Sequence, residues 1–133
     1  MSDKLVIRSK LKDYVVEFID DFTVTIDNLL REDSFLIIDK KVAELYSKGR
    51  KSLYLQKRVL VVEATELNKT LDYCSNIIEK LLANNIRRNS TLVAIGGGVV
   101  QDIAAFVSSI LFRGIDWTFF PTTLLAQADS CIG

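Results

Sequence analysis

The chain has 133 residues, room for one domain, and its 49% hydrophobic side chains are enough to fill a single core. Lys+Arg and Asp+Glu each number 17, so the net charge is zero, and the basic excess that nucleic-acid or anionic-membrane binding needs is missing. Histidine is absent, which excludes Ser-His-Asp and Cys-His catalysis, His-ligated zinc and imidazole switching by this chain's own residues. The two cysteines, Cys74 and Cys131, form no Cys-x-x-Cys pair, so a reducing, cytoplasmic setting is expected. The charged N-terminus lacks the apolar core of a signal peptide. The longest apolar stretch, 103–112, is about half of the roughly 20 residues a membrane span requires.

In chain order, Leu5–Ile7 and Tyr14–Phe18 read as the strands of an opening hairpin, with an ambiguous turn over 10–13. Ser34–Ile38 is an apolar run ending at Asp39, and a helical pattern follows from Lys40 to Lys48, with Gly49 as its stop. Arg58–Glu63 repeats the buried-strand signature. Leu71, Cys74, Ile77, Ile78, Leu81 and Leu82 then lie on one face of a helix that ends near Asn84–Asn85. Thr91–Ile95 is a third buried strand. Gly96–Gly98 leads into a helix running to about Phe112, which Gly114 caps, and Trp117–Phe120 is a fourth strand ending at Pro121. Strands apolar on both faces, alternating with helices, predict an α/β fold: a Rossmann-like, doubly wound, mainly parallel sheet with helices on both faces. A last helix is expected to start near Thr122 and is unfinished at Gly133, so the chain is expected to be part of a longer protein.

The densest chemical signal is Gly96-Gly97-Gly98-Val99-Val100-Gln101-Asp102, between a strand and a helix. Glycines there allow a tight turn and close backbone approach, and the helix N-terminus offers free N–H groups to phosphate oxygens. A plain strand-to-helix turn is the alternative. Against the fingerprint GxGxxG, Gly96 and Gly98 fit and Gln101 stands at the third glycine. Gln101 is therefore expected to push the helix's first turn away from strand Leu92–Ile95. Asp102, read as lying in the first helical turn, is either a ligand group or a helix-stabilising charge. Thr122 and Thr123 follow Pro121 as an N-cap or as ligand hydroxyls at a strand's carboxyl end. Asp39 stands at the same edge and is otherwise a solvated loop aspartate. Glu66 and Lys69 read as a capping pattern or a surface pair, and Arg113 as a cation at a helix C-terminus.

Together these segments resemble the 3-dehydroquinate synthase family. The resemblance rests on Gly96-Gly97-Gly98-Val99-Val100-x-Asp102, on Phe112-Arg113-Gly114-Ile115-Asp116, and on Pro121-Thr122-Thr123-Leu124-Leu125-Ala126-Gln127-x-Asp129-Ser130-x-Ile132-Gly133. Glu66-x-x-Lys69-Thr70 is similar to another family segment, and the likeness runs from about Asp39 to the end. It implies the N-terminal, NAD-binding domain (1–133) of a two-domain cytoplasmic cyclase of the shikimate pathway. Such an enzyme converts a seven-carbon sugar acid phosphate, 3-deoxy-arabino-heptulosonate 7-phosphate, to 3-dehydroquinate with loss of phosphate.

By the same resemblance, Asp39 would hold the adenosine ribose, and Glu66 and Lys69 would line the dinucleotide. Gly97, Gly98, Val99, Val100, Gln101 and Asp102 would cradle the pyrophosphate and reach the nicotinamide, with Thr122 and Thr123 close by. Asp129 and Arg113 would meet the substrate, Arg113 in a neighbouring subunit, which implies a homodimer. The family's zinc or cobalt is held by a glutamate and two histidines in a helical second domain, so no metal site and no certain catalytic residue is expected in 1–133, and this chain alone is expected to bind NAD without turnover. Gln101 replaces a family glycine and Ala64-Thr65 replaces Asp-Gly before Glu66, so a related cyclase of secondary or surface-polysaccharide metabolism is an alternative. A metal-dependent alcohol or glycerol dehydrogenase and a non-catalytic dinucleotide-binding module are the others.

Overall fold

The computed structural model describes residues 3–31, 33–46 and 57–130. Gly49, Cys131 and Gly133, and the predicted end of the second helix at Lys48, lie outside the described residues. The chain opens with β1 (Lys4–Ile7) and β2 (Tyr14–Glu17), an antiparallel ribbon in which Leu5 faces Val16 and Val6 faces Val15. The ribbon is a separate two-stranded sheet.

A helix that the sequence reading passed over follows, α1 (Phe22–Arg31). The Asp21 carboxylate accepts the amide hydrogens of Thr23 at 2.9 Å and Val24 at 3.2 Å, which is an N-cap. Ile26, Leu29 and Leu30 then form its inward face.

The main sheet is wholly parallel, with strand order β4 (Val59–Val62), β3 (Ser34–Asp39), β5 (Thr91–Gly96), β6 (Trp117–Pro121). β3 and β5 are central and almost entirely buried, which is why both read as unbroken apolar runs. Their residues alternate between two cores. Leu36, Ile38, Val93 and Ile95 pack with Ile26 of α1 and with Val42 and Ala43 of α2 (Lys40–Tyr46). Phe35, Ile37, Leu92 and Ala94 pack on the other face with Cys74, Ile77 and Leu81 of α3 (Leu71–Ala83). Val100, Ile103 and Val107 of α4 (Gly98–Ile110) complete that second core. Helices therefore cover both faces, as predicted.

Thr70 caps α3, its hydroxyl accepting the Tyr73 amide at 3.2 Å. The helix ends in a Schellman motif: Asn85 takes φ 66°, Ile86 N–H reaches Leu81 O at 3.1 Å, and Asn85 N–H reaches Leu82 O at 3.0 Å. α4 stops short of the predicted Phe112. A 3-10 turn (Leu111–Arg113) follows it, in which Phe112 has φ 51° and Arg113 φ 66°, before Gly114 at φ 110°. That left-handed turn cannot continue a right-handed helix. Gly114 thus closes the 3-10 turn rather than α4. After β6, the helix expected near Thr122 begins at Leu124, with Thr123 as its cap, and widens into a π-helix over Ala126–Ser130. No described helix is long and apolar enough to cross a membrane.

Candidate cofactor site at the switch point of the sheet

The chain leaves β3 for β4 on one side, then crosses back over β3 to β5 and continues to β6. The carboxyl ends of β3 and β5 therefore flank the point where strand order reverses, the crevice where open α/β sheets take their ligands. Asp39 ends β3 there and Gly96 ends β5.

Each glycine of the triplet has its own reason to lack a side chain. A Cβ on Gly96 would lie 2.7 Å from Val100 Cγ2 and 3.2 Å from Asp39 Cβ, so this glycine lets α4 seat on the strand. A Cβ on Gly97 would come within 3.0 Å of Thr123 Cγ2. A Cβ on Gly98 would meet nothing within 4 Å. Packing does not require that third glycine, and the open space beside it lies at the N-terminus of α4. The first intrahelical bond there runs from the Gln101 amide to Gly97 O at 3.1 Å, leaving the amides of Gly98, Val99 and Val100 without helical carbonyls. An open cradle of three such amides fits a dinucleotide pyrophosphate.

Val100 is fully buried, so only its backbone can face a ligand. The half-buried Gln101 keeps its side-chain oxygen out of solvent. The close approach of α4 to the strand is made by Val100 against Gly96, one residue before Gln101.

Thr122 N–H donates to Gly96 O at 2.8 Å, tying the end of β6 to the glycine turn. The Thr123 hydroxyl accepts the Ala126 amide at 3.2 Å and so acts as a local cap. Asp39 accepts the Lys41 amide at 2.9 Å at the start of α2.

The loop after β4 forms the remaining wall. A 3-10 turn over Glu66–Asn68 sets the backbone of Lys69, whose ammonium stands 2.7 Å from Asp102 and 3.5 Å from Glu66. The hydrogen bond that the ammonium donates to Asp102, the charge of that carboxylate and the charge of Glu66 together raise the Lys69 pKa, so the side chain stays an ammonium. Asp102 lies beyond the first turn of α4, correcting its predicted place there, so helix-end electrostatics do not account for it. Sequence reasoning missed Tyr73, whose hydroxyl accepts the Glu63 amide at 3.1 Å and steadies this loop. Its signal was an aromatic ring with a polar tip in the first turn of α3.

The structure thus brings Asp39, Glu66, Lys69, Gly97, Gly98, Asp102, Thr122 and Thr123 to one edge of the sheet. Arg113 is not among them. It follows α4, whose 13 residues span roughly 18 Å, so it stands at the opposite edge. Asp129 lies in the π-helix after β6, and its side chain is outside the described residues. Among the described residues, no three His, Cys, Asp or Glu come together as a metal site.

The fold and this edge define a class: doubly wound α/β domains with a glycine-lined mouth at the switch point. The chain belongs to the 3-dehydroquinate synthase family, whose N-terminal family model matches residues 59–133. It is 44% identical to 3-dehydroquinate synthase of Clostridium tetani over 76% of its length, and 33% identical to that of Caldanaerobacter subterraneus over 98%. It spans only 28% and 39% of those two proteins. Among solved structures it is similar to a 2-deoxy-scyllo-inosose synthase complexed with carbaglucose-6-phosphate, NAD+ and Co2+. That likeness has TM-score 0.77 at 25% identity and covers 96% of this chain and 38% of the other. It is also similar to 2-epi-5-epi-valiolone synthase of Streptomyces hygroscopicus with NAD+ and Zn2+ bound, at TM-score 0.65, 25% identity, and coverage of 80% and 31%.

Proposed function

We propose that residues 1–133 are the N-terminal, NAD-binding part of a cytoplasmic 3-dehydroquinate synthase. Its substrate would be 3-deoxy-arabino-heptulosonate 7-phosphate, taken to 3-dehydroquinate with loss of phosphate in the shikimate pathway. The observation that carries this reading is the open side of Gly98 at the head of α4, between Asp39 and the Thr122–Thr123 pair. The amides of Gly98, Val99 and Val100 would bind the pyrophosphate, and Gly97 gives the turn its shape. Asp39 offers a carboxylate to ribose hydroxyls, and Glu66, Lys69, Gln101, Asp102, Thr122 and Thr123 line the rest. Bound there, NAD supplies reversible hydride acceptance, which makes the C–H beside a transient ketone acidic enough for phosphate to leave.

Arg113 is too far from this mouth to serve it within one chain, which favours substrate contact in a second copy and hence a homodimer. Asp129 is assigned to the substrate on the motif alone. The described residues do not fit the zinc or cobalt of such enzymes.

Gln101, with its oxygen buried beside the mouth, favours a second reading, a cyclase for a different sugar phosphate. Calorimetric titration with NAD tests the first step, and no heat at millimolar NAD would refute it. Phosphate release by the whole enzyme from the seven-carbon acid phosphate, compared with neutral sugar phosphates, separates the two substrates.

A further inference from the structure

We infer that the outer edge of β4 is an interface, on which a second copy of this chain lays its own β4 antiparallel and joins the two main sheets into one. The inference goes beyond the cofactor reading and does not depend on it.

β4 stands at one end of the strand order and, among the described residues, pairs with β3 alone. Leu36 N–H donates to Arg58 O at 2.8 Å, and Leu36 lies beside Val59 in the register. In a parallel ladder that bond fixes the alternation. Arg58, Leu60 and Val62 turn their peptide groups toward β3, and Val59 and Val61 turn theirs away. The next outward amide, that of Glu63, is taken by the Tyr73 hydroxyl at 3.1 Å. Val59 and Val61 therefore present N–H and C=O groups along a sheet edge, which is what strand addition requires.

This edge is complementary to itself. A two-fold axis beside Leu60 sets Val59 opposite the second copy's Val61, and Val61 opposite its Val59. Each pair can exchange both main-chain hydrogen bonds, an isologous contact. The same register sets Lys57 opposite the second copy's Glu63 on either side of the axis. Both residues are exposed. Lys40 engages Oε1 of Glu63 at 3.3 Å, which leaves Oε2 for a second cation. A lysine beside a short edge strand ordinarily guards it against pairing; in this register it meets a carboxylate. Sliding the copies by two residues either sets Val59 against Glu63, whose amide is already bonded, or parts Lys57 from Glu63.

A groove of about 350 Å³ runs beside β4 under α3, walled by Leu60, Val62, Tyr73, Asn76, Ile77 and Lys80. Leu60 packs on the α3 side of the sheet and is partly buried. Across the axis the second copy's Leu60 lies on that same face, where the groove can receive it. Arg113 takes no part, because β6 is at the other end of the strand order.

Sedimentation equilibrium of this chain from micromolar to millimolar concentration tests the pairing. Association should appear, and amide exchange at Val59 and Val61 should slow as concentration rises. Val61→Pro removes an outward N–H and no bond to β3, so the fold should survive while association weakens about tenfold or more. Lys57→Glu and Glu63→Lys set like charges opposite each other, and each should weaken self-association. An equimolar mixture of those two variants should associate again, because every facing pair in the mixed dimer is then opposite in charge. A wild-type chain that stays monomeric throughout overturns the inference. Association that survives Val61→Pro and both charge variants places the contact on another surface and also overturns it. Should Val61→Pro fail to fold, the mixture decides: no recovery over either variant alone overturns the register and the interface with it.

Discussion

Alanine substitutions at Gly96 and Gly98 should separate folding from binding. At Gly96 the new methyl would lie 2.7 Å from Val100 Cγ2, 3.0 Å from Val100 Cβ and 3.2 Å from Asp39 Cβ. Val100 is fully buried and branched at Cβ, so it cannot swing clear, and α4 or the end of β3 must shift. Overpacking of this kind costs about 1–3 kcal/mol. For a domain of this size that lowers the melting temperature by roughly 3–15 °C. At Gly98 the methyl would meet nothing, and φ there is not left-handed, so the restricted unfolded chain should make Gly98→Ala about 0.4–1 kcal/mol more stable than wild type. The same methyl fills the space where the backbone approaches the ligand. NAD affinity should therefore fall in the more stable variant. Thermal melts and calorimetric titration on both variants give the four numbers needed. Gly98→Ala with wild-type affinity would refute the argument that this glycine is kept for a ligand.

Three further outcomes are expected. Asp21→Ala removes the cap of α1 and should cost about 1 kcal/mol in denaturant unfolding, with no change in NAD affinity. Burial pushes the Cys74 thiol pKa above its ordinary 9.0, so the folded state holds the proton more tightly than the unfolded one. Stability from this group is complete below pH 9 and is lost as pH rises through the folded value, and Cys74→Ala should flatten that alkaline decline. Arg113→Ala should leave NAD binding by this chain unchanged, since the residue stands at the far edge of the sheet, and weakened binding would contradict that placement.

The central strands and the helices after them were legible because burial on both faces leaves a continuous apolar run, as in Ser34–Ile38 and Thr91–Ile95. α1 was passed over although its signal was present: Asp21 as cap and Ile26, Leu29 and Leu30 at helical spacing. The end of α4 was misplaced because Leu111 and Phe112 continue the apolar pattern, and only the dihedral angles reveal the break. The glycine motif announced a mouth, but the switch point depends on strand order, which no local pattern encodes. The Lys69–Asp102 pair joins residues distant in sequence. Lys69 alone read as half of a capping pattern or surface pair and Asp102 as a ligand group or a helix-stabilising charge, and only the fold shows them in contact.

Unequal pairing across the sheet means that the walls of the mouth should not open at the same rate. Asp39 and Gly96 stand on β3 and β5, each hydrogen-bonded to strands on both sides and sealed between two cores. The loop carrying Glu66 and Lys69 extends from β4, which pairs with β3 alone and leaves Val61 36% exposed. Segments with fewer buried contacts open with smaller free energies, so amide exchange should be slowest along β3 and β5 and faster in β4 and the turn after it. The glycine side of the mouth would thus keep its shape through local openings that release the β4 edge.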